Sequence, residues 1–198
     1  KMNINPKLCF DIGAGALHWT DAAFQVWPQS HFIAFDATSE FESIYRDAHM
    51  THQIVVLTDK DNKPLEFYEN EELPFGNSYY RENPEISSEA KSRYKNEQKT
   101  RKIGMTLDTI VKKNGLPLPD LIKIDCQGAE LDIIKGATET LKTCDNLILD
   151  LQSAEYNKGA PLKKEVIEYV TSLGFKLVTT NCFSKNSNVD GDYHFTRN

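Results

Sequence analysis

Cysteine is scarce in this sequence, and its four residues stand too far apart to form a paired metal motif. They are Cys9, Cys126, Cys144 and Cys182, and no two of them have the C-x-x-C spacing of a structural zinc site. Cys9 and Cys126 lie on or beside predicted core strands, where a free thiol behaves as a small apolar side chain. We therefore expect reduced thiols in a cytoplasmic protein rather than disulfides in a secreted one.

Long apolar segments and an excess of positive charge are also missing. No apolar run is long enough to cross a bilayer, and the first residues, KMNINPK, lack the apolar core of a signal peptide. The 198 residues carry a formal net charge of −6, which argues against binding to nucleic acid or to an anionic membrane. The chain starts at Lys1, which fits either a processed tag or a domain excised from a longer polypeptide.

Apolar residues at the spacing of strands alternate with residues at the spacing of helices along most of the chain. The predicted strands cover 8–12, 31–36, 53–58, 121–125 and 146–151. The predicted helices cover 18–27, 39–50, 107–114, 130–141 and 162–173. This alternation predicts a single α/β domain over 1–198, built on a doubly wound, mostly parallel sheet with helices on both faces.

Three segments need a separate interpretation. Residues 65–68 follow a turn signal and are predicted to form a strand beside the third one. Residues 73–102 are polar and lack apolar periodicity, which is typical of a lid or substrate-binding insertion, with a helix expected over 87–98. Strands at 175–179 and 193–196 are expected to pair as an antiparallel ribbon at the end of the chain.

The glycine-rich turn after the first predicted strand is the most informative segment. In Phe10-Asp11-Ile12-Gly13-Ala14-Gly15, an apolar strand leads into two glycines, where a backbone can approach a ligand closely. The third glycine of a dinucleotide-binding fingerprint is missing, because His18 stands in its place. Asp11 would repel a pyrophosphate but suits a cationic ligand. The pattern therefore favours S-adenosylmethionine (SAM) over a nicotinamide cofactor, with an NAD(P)-dependent oxidoreductase as the alternative.

Carboxylates stand at the predicted ends of four strands. They are Asp11, Asp36, Asp125 and Asp150. Asp36 follows Gly15 by about 20 residues, the spacing at which an acid binds a ribose diol. Ligands of doubly wound sheets bind beyond the carboxyl ends of the strands, so these acids predict a site at that edge.

Two segments resemble the FkbM family of SAM-dependent methyltransferases. One is DIGAG at 11–15 together with FDA at 35–37, and the other is DLIKIDCQGAELDIIKGA at 120–137. The resemblance extends in outline from Leu8 to the last strand and is weakest in the 73–102 segment. It implies the seven-stranded, Rossmann-like class I methyltransferase fold with its last strand antiparallel. It also implies methyl transfer to an oxygen, often a sugar hydroxyl.

The resemblance further implies a cofactor site at the ends of the first three strands and in the segment that follows them. Its residues are Asp11, Gly13 and Gly15 at the methionine end of SAM, Asp36 at the ribose hydroxyls, Asp59 near the adenine, and Asn77 and Ser78 closing over the cofactor. Two positions depart from the family, since Gln127 stands where Glu is usual and Gly15 where Asn is common. The missing Glu keeps a non-catalytic SAM-binding domain open as an alternative.

A hydroxyl group is a weak acid, so methyl transfer to oxygen needs a base or a metal ion. Asp125 is the predicted base because it ends a central strand facing the expected methyl donor. Its alternative roles are a ligand to the SAM amino group and a helix cap. His18, at the start of the first helix, is the second catalytic candidate. In a metal-assisted variant Asp125 and Asp150 would hold Mg²⁺, although Leu151 replaces the acid or amide that usually follows.

The resemblance implies a small-molecule or glycan acceptor, for which a deoxysugar is one choice. The 73–102 segment offers aromatic faces and a guanidinium that suit a sugar and are equally suited to packing the segment onto the sheet: Tyr79, Tyr80, Arg81 and Tyr94. Glu130 and Asp150 are the predicted acidic contacts to the acceptor. Fusion to, or association with, glycosyltransferase domains is a further expectation. A nucleic-acid methyltransferase is disfavoured, since no basic stripe and no Pro-Pro-Tyr or Pro-Cys loop occurs.

Overall fold

The computed structural model describes residues 4–86, 96–180 and 191–197 of the chain. Its strands are β1 Leu8–Ile12, β2 His31–Asp36, β3 Thr51–Ile54, β4 Val56–Leu57, β5 Lys63–Glu69, β6 Gln98–Met105, β7 Leu121–Ile124, β8 Asn146–Leu151, β9 Lys176–Thr180 and β10 Gly191–Thr196. Its α-helices are α1 His18–Val26, α2 Glu42–Asp47, α3 Leu107–Asn114, α4 Glu130–Lys135 and α5 Lys163–Ser172. Short 3-10 turns cover Ser39–Phe41, Pro74–Gly76 and Thr140–Lys142.

Seven strands form the main sheet, in the order β3-β2-β1-β7-β8-β10-β9. The first five strands of this order pair in parallel, whereas β10 is antiparallel to both β8 and β9. The doubly wound sheet, the antiparallel last strand and the terminal ribbon predicted from the sequence are confirmed. The strand order reverses between β1 and β7, so the carboxyl ends of these two strands border a crevice.

The third predicted strand, 53–58, is in fact two strands that belong to different sheets. β3 ends at Ile54, the Val55 N–H donates to the carbonyl oxygen of Asp36 (2.7 Å), and β4 then joins a small sheet in the order β4-β6-β5. The predicted strand at 65–68 lies within β5. It pairs with β6 and not with the third strand, so that part of the prediction was wrong.

Strand β6 was not predicted, and it begins inside the segment interpreted as an insertion. Its sequence, QKTRKIGM, is mostly polar, and its isoleucine, Ile103, is 56% exposed, so the strand lacks the alternation of buried apolar residues that marks a strand in a sequence. Pairing with β5 along its whole length satisfies its backbone instead. Regular structure therefore resumes at Gln98, while most of the helix expected over 87–98 lies outside the described residues, as does Tyr94.

Helices α1, α3 and α5 match their predicted ranges to within one residue at each end, whereas two others are shorter. The helix expected over 39–50 starts as a 3-10 turn and continues as α2. The helix expected over 130–141 is α4, which ends before Gly136. Glycine is a poor helix former, and a Cβ at Gly136 would overlap the carbonyl oxygen of Thr58. The missing side chain therefore allows the end of β4 to approach α4.

Three of the four cysteines lie within the described residues. Cys9, Cys126 and Cys144 are free, and Cys182 lies outside the described residues. Within 4–86, 96–180 and 191–197, no helix combines the length and the apolar character that crossing a membrane requires.

The core packs on both faces of the central strands. Phe10 of β1 and Phe35 of β2 are fully buried, and their ring centroids lie 4.9 Å apart. Phe24, on α1, is 47% exposed. Phe10 and Phe24 therefore differ in burial, since the Phe10 ring is in the core and about half of the Phe24 side chain is exposed to solvent.

We expect Phe10→Ala to lower the free energy of unfolding by about 3–5 kcal/mol, because it removes a buried ring and leaves a cavity. Phe24→Ala, the matched control, should cost less than about 1 kcal/mol because the ring is half in water. Urea denaturation of the two variants measures both values. Equal losses would contradict the placement of β1 at the centre of the sheet.

Candidate functional site

The glycine turn after β1 is held against the ends of β2 and β7. The Gly13 N–H donates to the carbonyl oxygen of Phe35 (2.8 Å), and Gly13 has a φ of +79°, which favours glycine. A Cβ on Gly13 would overlap the carbonyl oxygen of Asp125. Gly15, with a φ of +50°, donates its N–H to the Asp36 carboxylate (2.9 Å). The turn is therefore tied to the two acids that the sequence placed at the ends of these strands.

An apolar cavity of about 210 Å³ opens on one side of this turn. Its apolar walls come from both sheets and from the 3-10 turn Pro74–Gly76, and include Phe35, Phe41, Val56, Leu57, Phe67 and Phe75. Its lining also includes five predicted cofactor residues, Gly13, Gly15, Asp36, Asn77 and Ser78. We call this space the apolar cavity.

Asp36 is the buried acid of the apolar cavity. Its carboxylate accepts the Thr38 N–H (2.8 Å) as well as the Gly15 N–H, and the Tyr45 hydroxyl lies 3.4 Å away. Burial raises the pKa of Asp36, while these hydrogen bonds oppose the increase. The carboxylate is thus fixed in direction before any ligand arrives.

The segment carrying Asn77 and Ser78 is fastened over the apolar cavity. The Asn77 side-chain oxygen accepts the N–H of Asn70 (2.8 Å), and the Ser78 hydroxyl donates to the carbonyl oxygen of Gln127 (3.0 Å). Ser78 also bridges to β5, since its backbone exchanges hydrogen bonds with Tyr68. These contacts place the segment between the small sheet and the loop after β7.

A second space, of about 460 Å³, lies on the other side of the glycine turn, and we call it the acidic cleft. Its charged and ionisable lining is Asp11, His18, Lys123, Asp125, Asp150 and Asp192. The cleft and the apolar cavity share Gly13, Gly15, Phe75 and Asp125. One molecule that extends across the turn could occupy both spaces and contact Asp125.

Both predicted catalytic residues line the acidic cleft. Asp125 is held by the side-chain amide of Gln127, which donates to one carboxylate oxygen (3.3 Å), and by the Lys123 ammonium at the other (3.2 Å). His18 is exposed, and its ring stacks on Phe75 with centroids 5.8 Å apart. The substitution of the usual Glu therefore gives Asp125 a hydrogen-bond donor as its neighbour.

Asp11 contributes a fully buried carboxylate to the cleft. It accepts the hydroxyl hydrogen of Thr20 (2.5 Å) from α1. Burial raises the pKa of Asp11 to about 6, and the nearby carboxylates of Asp125 and Asp36 act in the same direction. Most Asp11 side chains are still ionised at neutral pH.

Lys123 and Asp192 are site residues that the sequence analysis did not identify. Lys123 is the third residue of β7, its side chain is only 3% exposed, and its ammonium lies 3.2 Å from Asp125 and 3.5 Å from Asp192. Burial alone would lower the pKa of this lysine, but the carboxylates of Asp125, Asp192, Asp11 and Asp150 raise it. A lysine within the buried run LIKID was the signal that could have revealed it.

Several predicted residues lie away from both spaces. The Asp59 carboxylate accepts a hydrogen bond from the Lys63 ammonium (2.6 Å), and the Tyr80 hydroxyl donates to Asp132 (3.1 Å). Arg81 pairs with Glu97 (2.8 Å) and lies over the Tyr68 ring.

Tyr79, in contrast, does reach the site. It lines the apolar cavity instead of the acidic cleft, and its hydroxyl donates to Asp132 (3.3 Å).

Glu130 and Asp150 meet in a third, small cavity of about 100 Å³ beside the cleft. The Glu130 carboxylate accepts the backbone N–H groups of Cys126 (2.9 Å) and Gly128 (3.2 Å). Burial raises the pKa of Glu130 from 4.5 to about 7. Asp150 lines both this cavity and the acidic cleft, so the two spaces are neighbours.

A family model for the Methyltransferase FkbM domain matches residues 11–177. The chain belongs to the FkbM family of methyltransferase domains. No relative among curated proteins matches it. The match includes the glycine turn, the strand-end acids Asp36, Asp125 and Asp150, and the loop after β7, whereas Asp192 lies beyond it.

Solved structures share the fold of this FkbM domain. Methyltransferase FkbM from Methylobacillus flagellatus KT is 13% identical, with a TM-score of 0.56 over 96% of this chain and 43% of its own. Magnesium protoporphyrin IX methyltransferase (ChlM) from Synechocystis PCC 6803 with bound SAM is 10% identical, with a TM-score of 0.50 over 99% and 72%. A chain of a fibrillarin/Nop5p complex is 10% identical, with a TM-score of 0.51 over 96% of this chain and 72% of its own. This chain thus spans less than half of the length of the first of these proteins.

The residues of the FkbM domain fit SAM. The apolar cavity offers apolar walls for an adenine ring and a fixed carboxylate, Asp36, for ribose hydroxyls. The acidic cleft surrounds one ammonium with four aspartates, so its net charge is negative and suits the ammonium and sulfonium groups of SAM. Family membership makes SAM the expected methyl donor.

We expect Glu130→Gln to flatten the pH dependence of stability. A carboxyl group whose pKa is raised on folding contributes its full share of stability below the pKa of the unfolded chain, 4.5. The protein loses that stability as the pH rises through the pKa of the folded state, about 7. Between pH 5 and 8 the free energy of unfolding of the native protein should therefore fall by about 2 kcal/mol, and that of the glutamine variant should not show this decrease.

Urea denaturation at both pH values measures this difference, and Glu165→Gln on the exposed surface of α5 is the control. The same pH dependence in all three proteins would show that Glu130 titrates as it does in water.

Proposed function

We propose that this FkbM domain transfers a methyl group from SAM to a hydroxyl group of a sugar acceptor. The observation that carries the proposal is the meeting of the apolar cavity and the acidic cleft at Asp125, across the glycine turn. SAM bound across the turn, with its adenosine in the apolar cavity and its methionine end in the acidic cleft, would present its methyl group near Asp125. An acceptor in the remainder of the cleft would then lie beside that methyl group, which is the proximity that a direct displacement needs.

On the donor side, the residues divide by chemistry. Asp36 would accept the ribose hydroxyls, since its oxygens keep lone pairs beyond those used by Gly15 and Thr38. Phe41, Val56 and Leu57 would enclose the adenine. Asp11 and the backbone of the glycine turn would face the charged methionine end, where a carboxylate favours a cation. Bound SAM supplies an electrophilic methyl group.

On the acceptor side, Asp125 is the proposed base. As the acceptor oxygen bonds to the methyl carbon, its hydroxyl proton moves to a carboxylate oxygen of Asp125. Gln127 and Lys123 hold this carboxylate from two directions, which keeps one lone pair aimed at the cleft. His18, at the mouth of the cleft, is the second group able to accept the proton.

The sugar assignment is supported by family membership and by the polar lining of the cleft and its side cavity. Asp150, Glu130, Gln127, Gln152 and Tyr156 present acceptors and donors that match hydroxyl groups. A glycan acceptor would connect the domain to enzymes that build glycans, so we include glycosyltransferase domains among its proposed partners.

The donor is tested by calorimetric titration with SAM, with NAD⁺ as the parallel ligand. We expect saturable binding of SAM only. Asp36→Asn should weaken it by about 10- to 100-fold, since an amide replaces a charged acceptor of hydroxyl groups. Asp47→Asn, at the exposed end of α2, should leave the affinity unchanged. Binding of NAD⁺ alone would overturn the proposal.

The reaction is tested by incubating the protein and labelled SAM with a panel of sugars and glycosides. We expect a methyl ether on a hydroxyl group, and Asp125→Asn should slow its formation by about 10²- to 10⁴-fold while SAM affinity stays within a few-fold. Asp145→Asn, before β8 at the opposite end of the sheet, is the control. Binding of SAM without transfer to any sugar would point to another acceptor class or to a non-catalytic domain.

A further inference from the structure

The acidic cleft contains a charge arrangement that methyl transfer does not require. Four carboxylates reach it from neighbouring strands of the sheet: Asp11 from β1, Asp125 from the end of β7, Asp150 from β8 and Asp192 from β10. Asp150 and Asp192 are directly opposite each other in the β8–β10 register. Like charges at this density repel one another, so the folded state needs a cation among them.

That cation is a side chain of the protein. The Lys123 ammonium lies 3.2 Å from Asp125 and 3.5 Å from Asp192, and its four-carbon stem is buried in the sheet. The carboxylates of Asp11 and Asp150 also act on it. A buried lysine is stable only when paired, and here one ammonium serves acids from four strands.

Carboxylates clustered in this way are the ligands that divalent cations of the Mg²⁺ and Ca²⁺ type prefer. In the described part of the chain, however, no three His, Cys, Asp or Glu side chains are arranged to hold a metal ion. The acids are spread around the lysine nitrogen instead. The cation that pairs with these acids is a covalently attached ammonium.

We infer that Lys123 is the built-in counter-cation of the acidic cleft, which takes the place of a divalent metal ion and holds Asp125 and Asp192 in position at the acceptor end. The part of this inference that concerns Asp125 as a base depends on the proposed function. The part that concerns the cation does not, because it can be measured without SAM or an acceptor. Lys123 is a positioning residue, since it acts through the carboxylates.

The test compares Lys123→Met with Lys123→Arg by thermal unfolding, with and without millimolar Mn²⁺. In the methionine variant the four acids lose their common cation, and their side chains become able to turn toward a divalent ion in its place. Mn²⁺ should therefore bind and raise the unfolding temperature by about 5 °C or more. The arginine variant keeps the positive charge and should behave like the native protein, which Mn²⁺ should not stabilise. A side chain needed only for packing would not be replaced by an ion.

Lys102→Met is the matched control. Its ammonium also pairs with a carboxylate, Glu69, but Glu69 is not one of the acids that line the acidic cleft. Removing this lysine should therefore lower stability without creating a response to Mn²⁺. A response in both methionine variants would mean that any lost lysine exposes a metal-binding acid, and it would overturn the inference.

The native protein provides a second measurement that does not depend on a variant folding. Direct titration with Mn²⁺, followed by electron paramagnetic resonance, should detect no bound ion in the cleft. Binding to the native protein that disappears in Asp125→Asn would overturn the inference whatever the Lys123 variants do. The two proposals can also be separated. If SAM does not bind but Mn²⁺ still stabilises Lys123→Met alone, the proposed function is wrong and the counter-cation role of Lys123 stands.

Discussion

The contact between the Gly13 backbone and the carbonyl group of Asp125 is the constraint on which the site depends. It brings the end of β1 and the end of β7 so close that no side chain fits between them. The glycine turn therefore lines both spaces of the site. The apolar cavity lies on one side of it and the acidic cleft on the other, and Asp125 borders both. The chemistry of each space is then set by the residues that the neighbouring strands supply.

The two spaces are electrically unlike although they are adjacent. In the apolar cavity Asp36 accepts hydrogen bonds from two backbone N–H groups and a tyrosine hydroxyl, which spread its charge. In the cleft the carboxylates outnumber the cation, and the raised pKa of Asp11 reflects the same crowding and burial. A ligand with a neutral end and a cationic end can therefore bind in only one orientation.

The sequence predicted the elements that bury an apolar pattern and missed those that do not. Strands β1, β2, β7 and β8 and helices α1, α3 and α5 have such a pattern, so their order identified the main sheet. Strand β6 has little apolar content and is stabilised by pairing with β5, a long-range contact that periodicity cannot reveal. The break at Val55 has the same origin, because the hydrogen bond to Asp36 that fixes it comes from another strand.

The site follows the same division. Gly13, Gly15, Asp36 and Asp125 carry a local signal, since a turn or a strand end is readable in the neighbouring letters. Lys123 is marked only by being a charged residue inside an apolar run, and Asp192 has no local signal. Their roles arise from the register between β7, β8 and β10. Asp59 shows the converse: it follows a strand in the sequence, but that strand belongs to the small sheet and the carboxylate pairs with Lys63.

Phe75 is the side chain that both spaces have in common apart from the turn and Asp125. It lies on the 3-10 turn Pro74–Gly76, stacks on His18 at the mouth of the cleft and contacts Phe41 inside the cavity. A wall shared by two compartments cannot change for one of them alone. A change in the orientation of this ring would therefore alter the shape of the apolar cavity and of the acidic cleft together.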